Sequence, residues 1–345
     1  MATITISSPV VGWFFNSVLP AIRKKISDQV IKHSKLLTWL ESKGAIKRNR
    51  GGPGYFFQVR LEEDNVGGAT SDWGARVHGV TKPPVDGFDL YRQWDWPFMF
   101  NLFQLERFQG ADEKQKLLEM GAGEANQVRQ AATARICNWL VGDGTALDAK
   151  DIGTPINGLR NIVKATGTVH GISRTTYSAW QANADSVANF LGDSNNNGLS
   201  NGLEAMRSMY SACSQAKLSG DGATGIKPSV ATETEEPELI LTTSTGYENY
   251  EQSLEPRHRY ESDNANVIKG VMYKNATVAW DRFVPTGFMW FLTAMGWEFH
   301  VVGSDLIREL GQKDELQPYA RLVKLGGQGQ LYNLCPRYNG ELQFT

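Results

Sequence analysis

Two runs of alternating apolar and polar residues constrain this chain most. In the first, Tyr55, Phe57, Val59 and Leu61 face one way and Gln58, Arg60 and Glu62 the other, directly after the punctuating Gly51-Gly52-Pro53-Gly54. In the second, Phe88, Leu90, Trp94, Trp96, Phe98 and Phe100 carry the apolar face. A period of two places successive side chains on opposite faces, so both runs read as half-buried strands. They are joined by about 25 polar, glycine-rich residues, a span that is unusual inside a compact domain and usually has a job. Two such strands predict a long hairpin. A hairpin so rich in aromatics is unstable alone and must pack on something, with another subunit as one candidate.

A second long element follows. Leu117, Gly121, Ala125, Val128, Ala132, Ile136 and Leu140 recur every three or four residues, which predicts one helix over 112–141. Asp112 and Glu113 suit its first turn, and Gly142-Asp143-Gly144 ends it. About thirty residues at 1.5 Å each span roughly 45 Å, so this is a beam. Ahead of the hairpin, Ile22, Ile26, Val30, Leu37 and Leu40 predict an amphipathic helix in a basic stretch that includes Arg23, Lys24, Lys25, Lys43, Lys47 and Arg48. That stretch reads as a solvated helix face, or as an arm that touches DNA or an acidic neighbour.

Further along, 156–163 and 169–172 look like short packed segments, and Leu203, Met206, Met209 and Tyr210 mark a helix. Leu239-Ile240-Leu241-Thr242 reads as a strand, residues 247–254 as a helix, and several strands follow to about Gly303. Two more strand-like runs occupy 330–334 and 341–344. The overall class is α+β.

Composition narrows the function by exclusion. A formal net charge of -2 over 345 residues creates no global field toward nucleic acid or an anionic membrane. The longest apolar runs, such as Gly287–Leu292, are far too short to span a bilayer. Cys137, Cys213 and Cys335 are odd in number and outside any C-x-x-C pattern, so they read as free, buried thiols. No phosphate loop, dinucleotide fingerprint, H-E-x-x-H or G-x-S-x-G is present. His33, His78, His170, His258 and His300 lack ligand-like spacing and read as packing or surface residues. No catalytic, cofactor-binding or metal-binding residue is therefore assigned, and no cofactor is expected. One motif does match a calcium loop: Asp193, Asn195 and Asn197 with Gly198 and Glu204. The same Asn/Ser/Gly cluster is also what a plain turn before a helix needs.

Several phrases, in order, carry a resemblance. They are Leu36-Leu37-Thr38-Trp39-Leu40 leading to Gly51-Gly52, Val141-Gly142-Asp143-Gly144-Thr145 closing the long helix, and Ile156-Asn157-Gly158-Leu159. Then come Thr168-Val169-His170-Gly171-Ile172-Ser173-Arg174-Thr175 with Trp180, Pro237–Ser244 with Tyr247 and Tyr250, and Leu331–Arg337. This order resembles the major capsid (coat) protein family of tailed double-stranded DNA bacteriophages, with the Hong Kong 97-like fold. Ser173 stands where that family usually has aspartate.

The resemblance implies an N-terminal arm with a basic amphipathic helix at 1–52 and an extended loop, the long β-hairpin, at 53–110. It implies a peripheral domain at 111–235 containing the spine helix 112–141, and an axial domain at 236–327. C-terminal strands at 328–345 would return to the peripheral domain. The implied role is a self-assembling, non-enzymatic shell of hexamers and pentamers that encloses double-stranded DNA without reading its sequence. The implied partners are further copies of the chain, a portal protein, a separate scaffolding protein and a decoration protein. No membrane is involved, and the place is the virion, after assembly in the host bacterial cytoplasm. No N-terminal cleavage is expected, and Lys82 is the one lysine in the 55–100 region for a family-type crosslink. Two alternatives stay open: an encapsulin-like compartment shell with the same architecture, and a phage tail or adhesion binding protein.

Overall fold

The computed structural model of the chain describes residues 32–48, 51–59, 84–101, 127–128, 130–149, 151, 155–192, 200–215, 236–254, 271–314 and 320–344. In chain order its elements begin with α1 (Lys35–Ser42), β1 (Ile46–Lys47), β2 (Gly54–Val59), β3 (Val85–Leu90) and β4 (Arg92–Asn101). Next come α2 (130–141), α3 (Leu159–Ile162), β5 (Thr168–Val169), β6 (Ile172–Ser173), β7 (Asn183–Val187) and α4 (Asn201–Gln215). The remainder is β8 (Leu239–Thr242), α5 (Ser244–Leu254), β9 (Val271–Tyr273), β10 (Ala276–Trp280), β11 (Phe288–Leu292), β12 (Trp297–Val301), β13 (Arg308–Asp314), β14 (Ala320–Asn333) and β15 (Gly340–Phe344).

Helix α1 shows how local chemistry sets an element. Ser34 caps its start, its Oγ accepting the Leu37 N–H at 3.3 Å. Its end is a Schellman motif: the Ala45 N–H reaches the Leu40 carbonyl at 2.9 Å and the Gly44 N–H the Glu41 carbonyl at 3.0 Å. Gly44 sits at φ +65, the left-handed conformation that this motif needs. Leu36, Leu37, Trp39 and Leu40 are buried, and β1 then pairs in parallel with β12, Ile46 opposite Phe299. The segment expected as part of an extended arm is therefore stitched into its own subunit's core from Lys35 to Lys47. Its basic side chains find local partners: Lys43 pairs with Glu238, and Arg48 lies 3.4 Å from Glu41. Residues 22–30, which carry the rest of the expected arm helix, lie outside the described residues.

Two sheets organise the body. The six-stranded sheet runs β7-β15-β11-β8-β10-β9. Its central strands are apolar without alternation, because both faces are covered. In β8, Leu239 and Leu241 join one hydrophobic cluster with α1, α2 and α3, while Ile240 joins another with α4 and α5. The five-stranded sheet is built on β14. One edge of β14 pairs with β4 from Ala320 to Gly329; the other pairs with β13 and then, from Gly329 to Asn333, with β12. No helix among the described residues is long and apolar enough to cross a membrane.

The described part of the long helix matches expectation: Ala132, Ile136 and Leu140 are fully buried and Val128 packs beside them. Residues 112–126 of that expectation lie outside the described residues. The hairpin differs in a specific way. β2 and β3 do pair, from Gly54 opposite Leu90 to Val59 opposite Val85. The second strand stops there, however, and the run expected to continue it leaves the hairpin at Tyr91 and joins β14 as β4. The pleat reverses at that break. Phe88 and Leu90 are exposed and Asp89 is buried, whereas Trp94 and Trp96 just beyond are buried. A single phase of alternation had placed all four on one face; moving from one sheet to another resets the phase.

The sheets also divide the chain differently from the expected domains. β7 and α4, expected in the peripheral unit, pack with β8–β11, and β15 lies between β7 and β11. Strands β12–β14, expected to fall mostly in the axial unit, build the other sheet with β4. The division follows hydrogen-bond pairing across long sequence separations, which composition shifts along the chain do not record. Cys137, Cys213 and Cys335 are free and buried, as expected.

Trp290 in β11 is among the largest fully buried side chains. It is fully buried and donates its indole N–H to Glu341 at 3.1 Å. Trp290→Ala should lower unfolding free energy by about 3–5 kcal/mol, measured by urea titration followed by far-ultraviolet circular dichroism. A loss below about 1 kcal/mol would contradict this packing.

Candidate functional site

The sequence motifs do not converge on a reactive cluster. Residues 193–199 of the calcium-loop match lie outside the described residues, and Glu204 sits in the first turn of α4. Lys82, His78 and His258 also lie outside the described residues. No group of three or more metal-ligating side chains occurs among the described residues. What the fold builds instead is a joint where the β2–β3 hairpin meets the body.

Asp89 is its centre. It lies on the inward face of β3, opposite Tyr55, and is 9% exposed. A carboxylate in such a place must be surrounded by donors. Its Oδ2 accepts from His170 Nδ1 at 3.1 Å, Gln330 Nε2 at 3.0 Å and Asn157 Nδ2. Its Oδ1 accepts the Leu90 N–H at 2.9 Å and faces Arg92 at 3.3 Å. The Asp89 carbonyl accepts the Tyr332 hydroxyl at 3.1 Å. The donors come from β14, β4, the β5–β6 turn and the segment before α3, so one hairpin residue gathers four parts of the body. Gln330 and Asn157 are locked to each other as well, Gln330 Oε1 accepting the Asn157 N–H at 3.0 Å.

The β5–β6 turn is shaped to meet the hairpin. Val169 pairs with Ile172, and the two residues between, His170 and Gly171, have φ of 52 and 81. Two positive φ values make a type I′ turn. Glycine is at home there; a histidine in the left-handed region costs about 1 kcal/mol or more. The conformation lets the His170 carbonyl accept the Phe88 N–H at 2.9 Å while the ring reaches Asp89. Arg174 braces the turn from behind. Its side chain is buried and donates to the carbonyls of Thr166 at 2.9 Å, Asn161 at 2.7 Å and Ile162 at 2.6 Å. Two of those carbonyls belong to the last turn of α3, a position that favours a cation. Burial lowers the guanidinium to about 10, against the pull of Glu341, so it stays charged at neutral pH.

Rings fill the rest of the joint. The Tyr332 ring lies between two histidines, with centroids 5.0 Å from His170 and 4.9 Å from His300. Tyr55 packs edge-on to His300 at 4.3 Å, and Phe57 lies 6.2 Å from Trp180. His300 Nε2 is 2.6 Å from Glu298 Oε2, and its Nδ1 is 3.4 Å from the Tyr91 hydroxyl.

Burial acts to raise the Asp89 carboxyl, but His170 and Arg92 outweigh it and hold the group below its ordinary value. Burial lowers His170, against the hydrogen bond and charge of Asp89. The neutral ring therefore donates from Nδ1. Among the described residues no nucleophile hydrogen-bonds the ring, and His170 is only 2% exposed. His170, Arg174, Trp180, Asn157 and Tyr332 stood in phrases that the sequence singled out. Asp89 carried no signal, because its place between Phe88 and Leu90 reads as the polar side of a strand.

The outward face of the hairpin is the opposite case. Phe56 and Phe88 are cross-strand partners, 55% and 45% exposed, and Leu90 beside them is 46% exposed. Gln58 and Asp86 continue the face with a 2.9 Å hydrogen bond.

No known family model and no curated protein matches the chain by sequence. Solved structures do match. The capsid asymmetric unit of cyanophage A-1(L) superposes with a TM-score of 0.59 at 16% identity, covering 88% of this chain and 92% of that one. The chain has the Hong Kong 97-like capsid fold. The capsid of Myoviridae phage XM1 matches with a TM-score of 0.52 at 10% identity, over 88% of this chain and 91% of that one. The corresponding values for mycobacterium phage Bobi are 0.51, 10%, 90% and 90%.

Asp89→Ala should remove the hub and leave Gln330, Asn157 and Arg92 without their acceptor. The expected loss is about 2–4 kcal/mol, read from the urea midpoint. A double-mutant cycle with Gln330→Ala should show strong non-additivity; simple additivity would mean that the two side chains do not share one network.

Proposed function

We propose that this chain is a major capsid protein that self-assembles into the icosahedral head shell of a tailed phage and encloses packaged double-stranded DNA. The observation that carries this reading is the hairpin on a capsid fold. Its root is locked to its own body through Asp89, while Phe56, Phe88 and Leu90 point outward with nothing over them among the described residues. A strand pair held rigidly at one end and apolar on its free face suits a contact between copies. Covering the exposed parts of the two phenylalanines and the leucine, about 100 Å² each, is worth roughly 2 kcal/mol apiece before ordering costs are subtracted. That is modest for one contact, but in a closed shell each subunit repeats it around every symmetry axis.

The same reading assigns the remaining parts. The six-stranded sheet with α4 and α5 serves as the axial domain, and the five-stranded sheet with α2 as the peripheral domain. Function is assembly and not catalysis, and the chain acts as hexamers and pentamers with a portal and a scaffolding protein as partners. The virion is its place, following assembly in the bacterial cytoplasm. A net charge of -2 suits a wall that surrounds DNA without binding it tightly.

Electron microscopy of the chain expressed in bacteria, alone and with its neighbouring genes, tests this. Closed shells or tubes are expected, and DNA inside them separates a virion from a protein-filled compartment. The double variant Phe56→Ser, Phe88→Ser should keep the thermal midpoint within a few degrees yet yield no shells. Normal shells from that variant would remove the hairpin from the assembly interface.

A further inference from the structure

The two buried histidines of the joint differ in one respect. Both nitrogens of His300 face oxygens, of Glu298 and Tyr91. His170 has a partner only at Nδ1; its Nε2 is buried and has no hydrogen-bond partner among the described residues. We propose that the Asp89–His170 pair is a proton-operated latch, so that protonation of His170 releases the β2–β3 hairpin from the β5–β6 turn while the sheets of the body stay closed. This goes beyond the shell reading and does not depend on it.

Every group around the ring bears on the balance. Asp89 on β3 attracts the protonated ring. Arg174, just beyond β6, repels it, although Glu341 on β15 offsets part of that charge. Arg92 on β4 draws on the same carboxylate. Gln330 from β14 and Asn157 are neutral donors that already occupy Asp89 Oδ2. Tyr332 and Phe57 present rings, not acceptors, to the imidazole, and Glu298 is engaged with His300 beyond Tyr332. Adding a proton therefore places a second N–H where nothing accepts it and a charge where no water reaches.

The sign follows from the direction of the shift. His170 is held below its ordinary value of 6.5, so the closed joint has its full advantage above that value and loses it as the pH falls through and below it. Asp89 is held below 3.8, so its own contribution is lost only in stronger acid and does not act in the same window.

The release is local because of where the links lie. The hairpin's hydrogen bonds to the β5–β6 turn are those of Asp89 with His170 and of Phe88 with the His170 carbonyl, whereas neither β3 nor the turn is a strand of the six-stranded sheet. Phe57 and Val59 remain buried against the body and oppose opening, so the proton shifts a population and does not force a single state.

Hydrogen–deuterium exchange on the full-length chain, kept in one assembly state throughout, reads this directly. Rates are corrected for the intrinsic effect of pH on exchange. From pH 7.5 to 5.5, protection at amides 54–59 and 85–90 should fall by up to about tenfold per pH unit below 6.5, the limit for one coupled proton, and level off below the His170 midpoint. Protection in β8 and β11 should hold. His170→Gln should abolish the acid-dependent loss, and His300→Gln should retain it. The proposal is overturned by undiminished hairpin protection at pH 5.5, by loss in β8 and β11 in parallel, or by an unchanged acid response in His170→Gln. If that variant does not fold, nitrogen-15-labelled histidines in the unaltered protein decide: the protection loss must level off at the His170 titration midpoint, and a mismatch refutes the latch.

Discussion

A single buried carboxylate holds this structure's parts in register. Asp89 sits where a strand should place an apolar side chain, and the cost of burying its charge is met only when four separated segments deliver donors to it together. The β5–β6 turn, β14, the start of β4 and the segment before α3 are thereby tied to one point. The arrangement is all-or-none in character, because losing one donor weakens the case for keeping the charge buried at all. The strained histidine of the turn and the buried Arg174 behind it belong to the same account. Each is unfavourable alone and each is offset by what it lets the joint hold.

Around that joint the body follows simpler rules. The six-stranded sheet is covered on both faces, so its central strands are uniformly apolar and one residue faces α4 and α5 while the next faces α1, α2 and α3. The N-terminal segment from Lys35 to Lys47 is part of this core, capped at both ends of its helix and finished with a parallel strand. β14 then carries the second sheet and brings Gln330 and Tyr332 to the joint. Core packing and the polar hub are consequently not separate features; the longest strand serves both.

The outward face of the hairpin shows the complementary principle. An inward side held by the polar contacts of Asp89 leaves the outer side free to be apolar without loosening the hairpin. Exposed phenylalanines on a floppy strand would invite misassociation, whereas the same residues on a strand fixed at its root define a surface of one shape.

The sequence by itself determined the elements whose signal is local. The stripe of Ala132, Ile136 and Leu140 marked the long helix, and the alternation of Tyr55, Phe57 and Val59 marked the hairpin's first strand. The order of phrases also pointed to the right fold, and one of them, at His170-Gly171, encodes a local turn. Only the tertiary structure decided the phase change at Tyr91, the inward turn of Asp89 and the division of the chain between two sheets. The physical reason is the same for all three. Which face of a strand is buried, and which strands pair, depends on partners 80 to 240 residues away, as the Asp89 contacts to His170 and Gln330 show with separations of 81 and 241. No pattern of period two or 3.6 carries that information.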